Sequence, residues 1–185
     1  CFQAAETLLD QLAATGDSTY GLTGFVNNAN VPLVTPTNGT WMTGPNTPTE
    51  IVADLNKLVN AIVTATSEVH APDTLLLSPT LYGYLATTPW SGTSDTTILK
   101  WFLANNPYIK NIDQWARLAL ADAGGTGPRS VAYKRDPSCV SYVIPQEAQR
   151  SAPQMDGLAI EVFVTGRVGG VKFEHPLSAA YMDGC

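Results

Sequence analysis

Histidine and cysteine are scarce in this 185-residue sequence, with two and three copies, and charged residues make up only 14% of it. Neither His70 nor His175 stands in an H-E-x-x-H pair or in a Cys-His cluster with zinc spacing, so no metal site is expected. Cys1, Cys139 and Cys185 are an odd number without metal-ligand spacing, and a reducing compartment is their simplest reading. The ends, where Cys1 and Cys185 stand, are expected to be poorly ordered. The ten basic residues are scattered singly, Lys134-Arg135 being the only adjacent pair, and the formal net charge is -6. That balance argues against wrapping nucleic acid, which needs a surplus of Lys and Arg on one face. No stretch approaches the roughly 20 apolar residues that cross a bilayer, and the amino terminus lacks a basic-then-apolar secretory pattern. An initiator Met is missing as well, so residue 1 is not expected to be the natural start.

What the sequence has is apolar content and punctuation. It is 44% hydrophobic, ample for a buried core, and its 15 glycines and 13 prolines cluster from Thr15 to Pro48 and from Ala121 to Pro128. Phe2 to Ala14 reads as a helix, with Phe2, Ala5, Leu8, Leu9 and Leu12 on one stripe and Gly16-Asp17 as its stop. Tyr20 to Asn28 reads as a glycine-punctuated loop, and Trp41 as a buried anchor in the irregular stretch that follows. The clearest local signal is Thr47-Pro48-Thr49-Glu50. Thr47 caps, Pro48 occupies the first helical position, and Glu50 reaches back to complete a capping box. Ile51, Leu55, Leu58, Ile62, Ala65 and Val69 then recur at helical spacing until Ala71-Pro72, while Glu50, Asp54, Lys57 and Asn60 point away from the stripe. Some 23 residues at about 1.5 Å each predict a rod near 35 Å. His70 falls in its last turn, where a cation or polar cap suits the negative end of the dipole.

Beyond the rod, Thr74 to Leu77 reads as a strand covered on both faces. Short helices are predicted over Thr80 to Ala86 and over Thr96 to Ala104, the second capped by Ser94 or Asp95. Tyr108 to Ile112 reads as strand, and Trp115 to Ala121 is ambiguous between helix and strand. Val131 to Arg135 and Val140 to Ile144, joined by Asp136-Pro137-Ser138, predict a hairpin with Cys139 inside its second strand. Near the carboxyl end, Leu158, Ile160, Val162 and Val164 form one alternating strand. Val171 and Phe173 form another, across a Gly169-Gly170 break.

Catalytic patterns are weak throughout. No G-x-S-x-G supports a Ser-His-Asp hydrolase, and Cys139 would need a histidine folded next to it to act as a nucleophile. Asp10 with Asp17, and Glu161 with Glu174 and Asp183, have the spacings of solvated faces rather than of an acid and base pair. Gly166-Arg167-Val168-Gly169-Gly170 lacks the G-K-[ST] ending of a phosphate loop and reads as a hairpin or bulge. Trp41, Trp90, Trp101 and Trp115 read as packing residues rather than stacking platforms for a sugar. His175, before Pro176, reads as half-buried packing. The expectation is therefore no enzyme, with no catalytic, cofactor-binding or metal-binding residue. The rival from another class is a small hydrolase or sugar-binding module, which gains if Cys139, His70, His175 or the tryptophans converge in one concave pocket.

The order of motifs is more telling. Y-G-x-x-G-F-x-N-N is followed by a tryptophan, a long capped helix, P-D-T-L-L-L-S-P, A-G-G before V-A-Y, I-P-Q, and finally R-V-G-G-V through a closing D-G. Over most of residues 15 to 184 this resembles the major capsid protein of tailed phages of the Hong Kong 97 type. The resemblance implies an α+β fold with a long spine helix, a peripheral-domain sheet and an α+β axial domain. It places a peripheral domain at 1–72, truncated at its amino-terminal side and including the spine, an axial domain at 73–154, and return strands at 155–185. It implies a structural subunit of an icosahedral phage or prophage shell that self-assembles as pentamers and hexamers and encloses double-stranded DNA without reading its sequence. Portal, scaffold and protease are the other partners implied, with no membrane, and the place is the virion after assembly in the bacterial cytoplasm. A bacterial nanocompartment shell is the nearest variant.

Overall fold

The structure is a computed structural model and describes every residue except Cys1, Thr93, Ser94, Thr126 and Leu158. In chain order the elements are α1 (Phe2–Thr15), β1 (Gly16–Asp17), β2 (Leu22–Thr23), β3 (Leu33–Val34), α2 (Pro48–Ala65), β4 (Thr74–Leu77), α3 (Pro79–Thr87), α4 (Ile98–Asn105) and β5 (Asn111–Gln114). There follow β6 (Arg129–Tyr133), β7 (Val140–Val143), β8 (Gln146–Arg150), β9 (Gln154–Asp156), β10 (Ala159–Glu161), β11 (Val164–Arg167), β12 (Gly170–Phe173) and β13 (Ala179–Asp183). They belong to two compact units, a larger one of residues 26–140 and 173–185 and a smaller one of 1–25 and 141–172. These limits differ from the 72/73 and 154/155 boundaries expected from the resemblance. The predicted spine, α2, belongs to the larger unit together with the segments on both sides of it.

The larger unit is a five-stranded mixed sheet, in the order β3-β13-β6-β4-β5, packed against α2. Strand β4 runs antiparallel to β6 and parallel to β5, and β13 runs antiparallel to β6 and parallel to β3. The TLLL run of β4 is apolar after Thr74 because it is interior to the sheet, and three of its four residues are buried. Ile51, Leu55, Leu58 and Ile62 of α2 join Leu75, Leu77, Leu81, Leu85, Ile98 and Phe102 in one core. Ala132 and Ala180 form part of the same core, and such small side chains let a helix approach a sheet closely.

Helix α2 begins as the sequence predicts. The Thr47 side chain accepts from the Glu50 amide at 3.4 Å, and a Glu50 carboxylate oxygen accepts from the Thr47 amide at 2.7 Å. Donation from the Thr47 amide and from the Thr47 hydroxyl (2.8 Å) holds the Glu50 carboxyl below the usual carboxylate range. The helix ends earlier than its apolar period implies, at Ala65 after 18 residues, about 27 Å. Ser67 and Glu68 take left-handed backbone angles, φ 50° and 68°, which no helix continues. His70 therefore lies in the loop beyond the helix, not in its last turn.

Other expectations shift for equally local reasons. Asp54 faces inward rather than away. It is buried, and its carboxylate accepts from the Thr37 amide (3.0 Å), the Thr37 hydroxyl (2.6 Å) and Trp41 Nε1 (3.2 Å). Trp41 is the buried anchor expected, pinned to α2 through this acid. Helix α4 is capped by Thr97, whose hydroxyl accepts from the Lys100 amide, rather than by Asp95; Ser94 lies outside the described residues. The strand predicted at Tyr108 to Ile112 starts later, at Asn111, and Ala116–Leu120 is a 3-10 helix. The turn Asp136-Pro137-Ser138 exists, but the strands flanking it form no hairpin. Strand β6 joins the five-stranded sheet whereas β7 pairs with β12, and Cys139 stands in the turn.

The smaller unit combines α1 with a two-stranded ribbon. Strand β7 pairs with β12, β8 with β11 and β9 with β10, the last turning at Gly157. The single strand expected from 158 to 165 is divided into β10 and β11, and a bulge stands between Thr165 and Arg167, within the Gly-Arg-Val-Gly-Gly segment. Tyr142 donates its hydroxyl to the Leu9 carbonyl of α1 at 3.0 Å. After α1 the chain folds back so tightly that a Cβ on Gly24 would sit 2.1 Å from the Ala14 carbonyl oxygen, which only glycine allows. Gly21, at φ 66°, meets the other need of this segment, a left-handed turn.

Candidate functional site

Three of the weighed side chains meet in the larger unit. His70 Nδ1 lies 3.9 Å from Cys139 Sγ, and the His70 and His175 ring centroids are 5.1 Å apart with planes tilted by 32°. The loop after α2 supplies His70, the turn before β7 supplies Cys139, and the segment after β12 supplies His175. Backbone bonds hold this junction: the Cys139 carbonyl accepts from the amides of Glu174 (2.9 Å) and His175 (3.3 Å). His70 is fixed to the end of α2 by Thr66, whose hydroxyl accepts from its amide at 3.2 Å. Burial, Lys134 and His175 all disfavour the imidazolium of His70 and together outweigh Asp136, so its pKa lies below the ordinary histidine value.

A Cys-His contact is the arrangement a nucleophilic site would need, yet the thiol is closed off. Cys139 is 0% exposed, so an electrophile has no approach to its sulfur. His175 is exposed rather than half-buried, and His70 is half-buried. Among the described residues no group of three or more His, Cys, Asp or Glu side chains could hold a metal ion. The tryptophans do not join this cluster. Trp90 and Trp101 stack at 4.0 Å against the core, and Trp41 is buried beside Asp54.

A second polar constellation was not legible from spacing. Arg129, at the start of β6, pairs in two-pronged fashion with Asp183 at the end of β13, Nε to Oδ1 at 2.5 Å and NH2 to Oδ2 at 2.7 Å. Its remaining NH1 donates to the Val26 carbonyl, the Ala123 amide donates to Asp183 at 3.0 Å, and the guanidinium lies 4.6 Å from the centre of the Tyr181 ring. Burial raises the Tyr181 phenol pKa. Asp183 is therefore the half-buried partner of the buried Arg129 in an ion pair and not a solvated acid, whereas Glu161 and Glu174 are exposed as expected. The register Arg129↔Asp183 across the β6–β13 ladder is what brings them together. At the end of the chain Cys185 is also buried, its thiol 3.0 Å from the Ser130 hydroxyl, and burial pushes its pKa up to about 11. Cys1 lies outside the described residues.

The smaller unit presents apolar surface instead of chemistry. Met155 and Ile160 are register partners across the ribbon tip, so their side chains share one face, and they are 86% and 66% exposed. Nearer the base, Leu8, Leu9 and Leu12 of α1 face Ile144, Val164 and Val168 across a groove of about 440 Å³.

Comparison with known proteins bears on both units. No curated protein matches the sequence. The capsid of Myoviridae phage XM1 has the same fold at a TM-score of 0.84 and 17% identity, covering 100% of this chain and 64% of its own. A virus-like particle from Pyrococcus furiosus gives 0.63 at 12% identity, covering 95% and 63%. A phage-related protein from Bordetella bronchiseptica RB50 gives 0.57 at 16%, covering 95% and 59%. The chain thus spans less than two thirds of the length of each of these proteins. Its α+β architecture is that of phage capsid proteins, as the motif order implied, and the family model described as Major capsid protein matches residues 1–185. This chain belongs to the Major capsid protein family.

Proposed function

We propose that this protein is the structural subunit of an icosahedral phage or prophage shell, assembling with copies of itself through pentamers and hexamers and enclosing double-stranded DNA. The observation that carries the reading is the family match over the whole chain. The exposed apolar ribbon face supports it, because a subunit that meets several neighbours needs surface that only those neighbours cover. The net charge of -6 fits a shell that confines DNA by geometry and does not wrap it. In this reading residues 1–72 with 155–185 take the peripheral role and residues 73–154 the axial role.

The role is structural and not enzymatic, an assignment favoured by the inaccessible Cys139 thiol. No helix among the described residues is long and apolar enough to cross a membrane. The proposed place is the virion, after assembly in the bacterial cytoplasm, with portal, scaffold and protease as transient partners. A nanocompartment shell is the second reading, favoured by the likeness to the Pyrococcus furiosus particle. Electron microscopy of the protein expressed from its natural start codon tests both. Closed shells with nuclease-protected DNA are expected, closed shells holding an enzyme would select the second reading, and dispersed monomers would overturn both.

A further inference from the structure

The His70–His175 pair is unusual for where it stands. The backbone passes between the two compact units at 140/141 and at 172/173. Cys139 immediately precedes the first passage and Glu174–His175 closely follow the second. The Cys139 carbonyl, accepting from the amides of Glu174 and His175, is the pin between them. His70 meets Cys139 at 3.9 Å and the His175 ring at 5.1 Å. It is carried on a loop whose Ser67 and Glu68 are left-handed, a conformation that ordinary side chains hold only when surrounding contacts enforce it.

The charges facing His70 come from three segments. Lys134, after β6, is cationic, and His175 becomes so on protonation. Asp136, in the Cys139 turn, opposes them with a negative charge. The Asp136 carboxylate is already engaged by the amide and hydroxyl of Ser138, at 2.8 and 2.7 Å. Burial, Lys134 and His175 outweigh the pull of Asp136, so a proton on His70 is disfavoured and faces two cations once His175 is also charged. Neutral imidazoles pack tilted against one another; two imidazolium rings at this separation repel.

We propose that His70 and His175 form an acid-released latch, which holds the Cys139 turn to residues 174–175 while both rings are neutral and lets that junction open when both are protonated. Because the folded state takes the His70 proton at lower pH than an unfolded chain does, the contribution is complete at neutral pH. It is lost as pH falls from the ordinary histidine range through the lower His70 value.

Hydrogen exchange of the full chain at about pH 7.5 and about pH 5.5 reads this directly. After correction for intrinsic exchange, the protection of the Glu174 amide is expected to fall about tenfold or more on acidification. It should stay flat in the double variant His70→Asn/His175→Asn. Unchanged protection in the parent, or an equal loss in the double variant, overturns the proposal. Nuclear magnetic resonance titration of the imidazoles gives a readout independent of that variant. His70 is expected to titrate below the ordinary histidine range, and to move up in His175→Gln. Titration of His70 at its ordinary value, or no movement in the single variant, would overturn it equally.

Discussion

The larger and smaller units solve the burial problem in opposite ways. In the larger, the strands β4, β6 and β13 are nearly all buried, and α2 inserts Ile51, Leu55, Leu58 and Ile62 against them. In the smaller, the ribbon strands are mostly exposed and place Met155, Ile160, Val162 and Phe163 at the surface. A two-stranded ribbon has no second layer to cover its apolar face, so its stability must come from whatever packs on it. In the proposed reading, the contrast separates what keeps the protein folded from what would make it associate.

Substitutions can break this contrast at its strongest point first. Arg129→Met leaves the half-buried Asp183 without its partner and the buried Val26 carbonyl without its donor. We expect a loss of about 2–4 kcal/mol in the stability of the larger unit, read by denaturant unfolding followed by a probe confined to that unit. A loss under about 1 kcal/mol would mean that the ion pair is as weak as an exposed one. Leu58→Ala removes a fully buried side chain from the middle of α2, with an expected cost of about 2–5 kcal/mol in the same measurement. Met155→Ser with Ile160→Ser should do the reverse, changing stability by no more than about 0.5 kcal/mol while reducing particle yield in electron microscopy. Normal particles from that double variant would remove the ribbon tip from the assembly surface. A large fall in its melting temperature would erase the distinction between the units.

Local chemistry accounts for what was legible. The capping box Thr47/Glu50, the apolar TLLL strand and the Trp41 anchor each depend on residues close in sequence or on plain apolarity, and each forms where expected. Asp54 faces inward although a carboxylate beside an apolar stripe ordinarily faces water. Its three donors come from Thr37 and Trp41, which no helical period registers. The apolar period runs on to Val69, past the end of α2, because it does not register that the backbone turns left-handed at Ser67. The hairpin at Asp136 was half right, since turn residues bend the chain but do not choose which sheet each strand enters.

The candidate cluster shows the same division. Cys139, His70 and His175 could be named from the sequence as the groups worth watching. Only the fold carried residues 36 to 105 positions apart into contact and buried the thiol while doing so. Arg129 and Asp183 gave no sign of each other, because β13 returns to β6 by a pairing that spans 54 residues. The order of motifs in the sequence determined the family and the α+β class, since caps, turns and apolar runs are short-range facts written in neighbouring residues. Which strands pair, which acid is buried and which apolar face stays bare were decided by tertiary structure, because each depends on burial shared between distant segments.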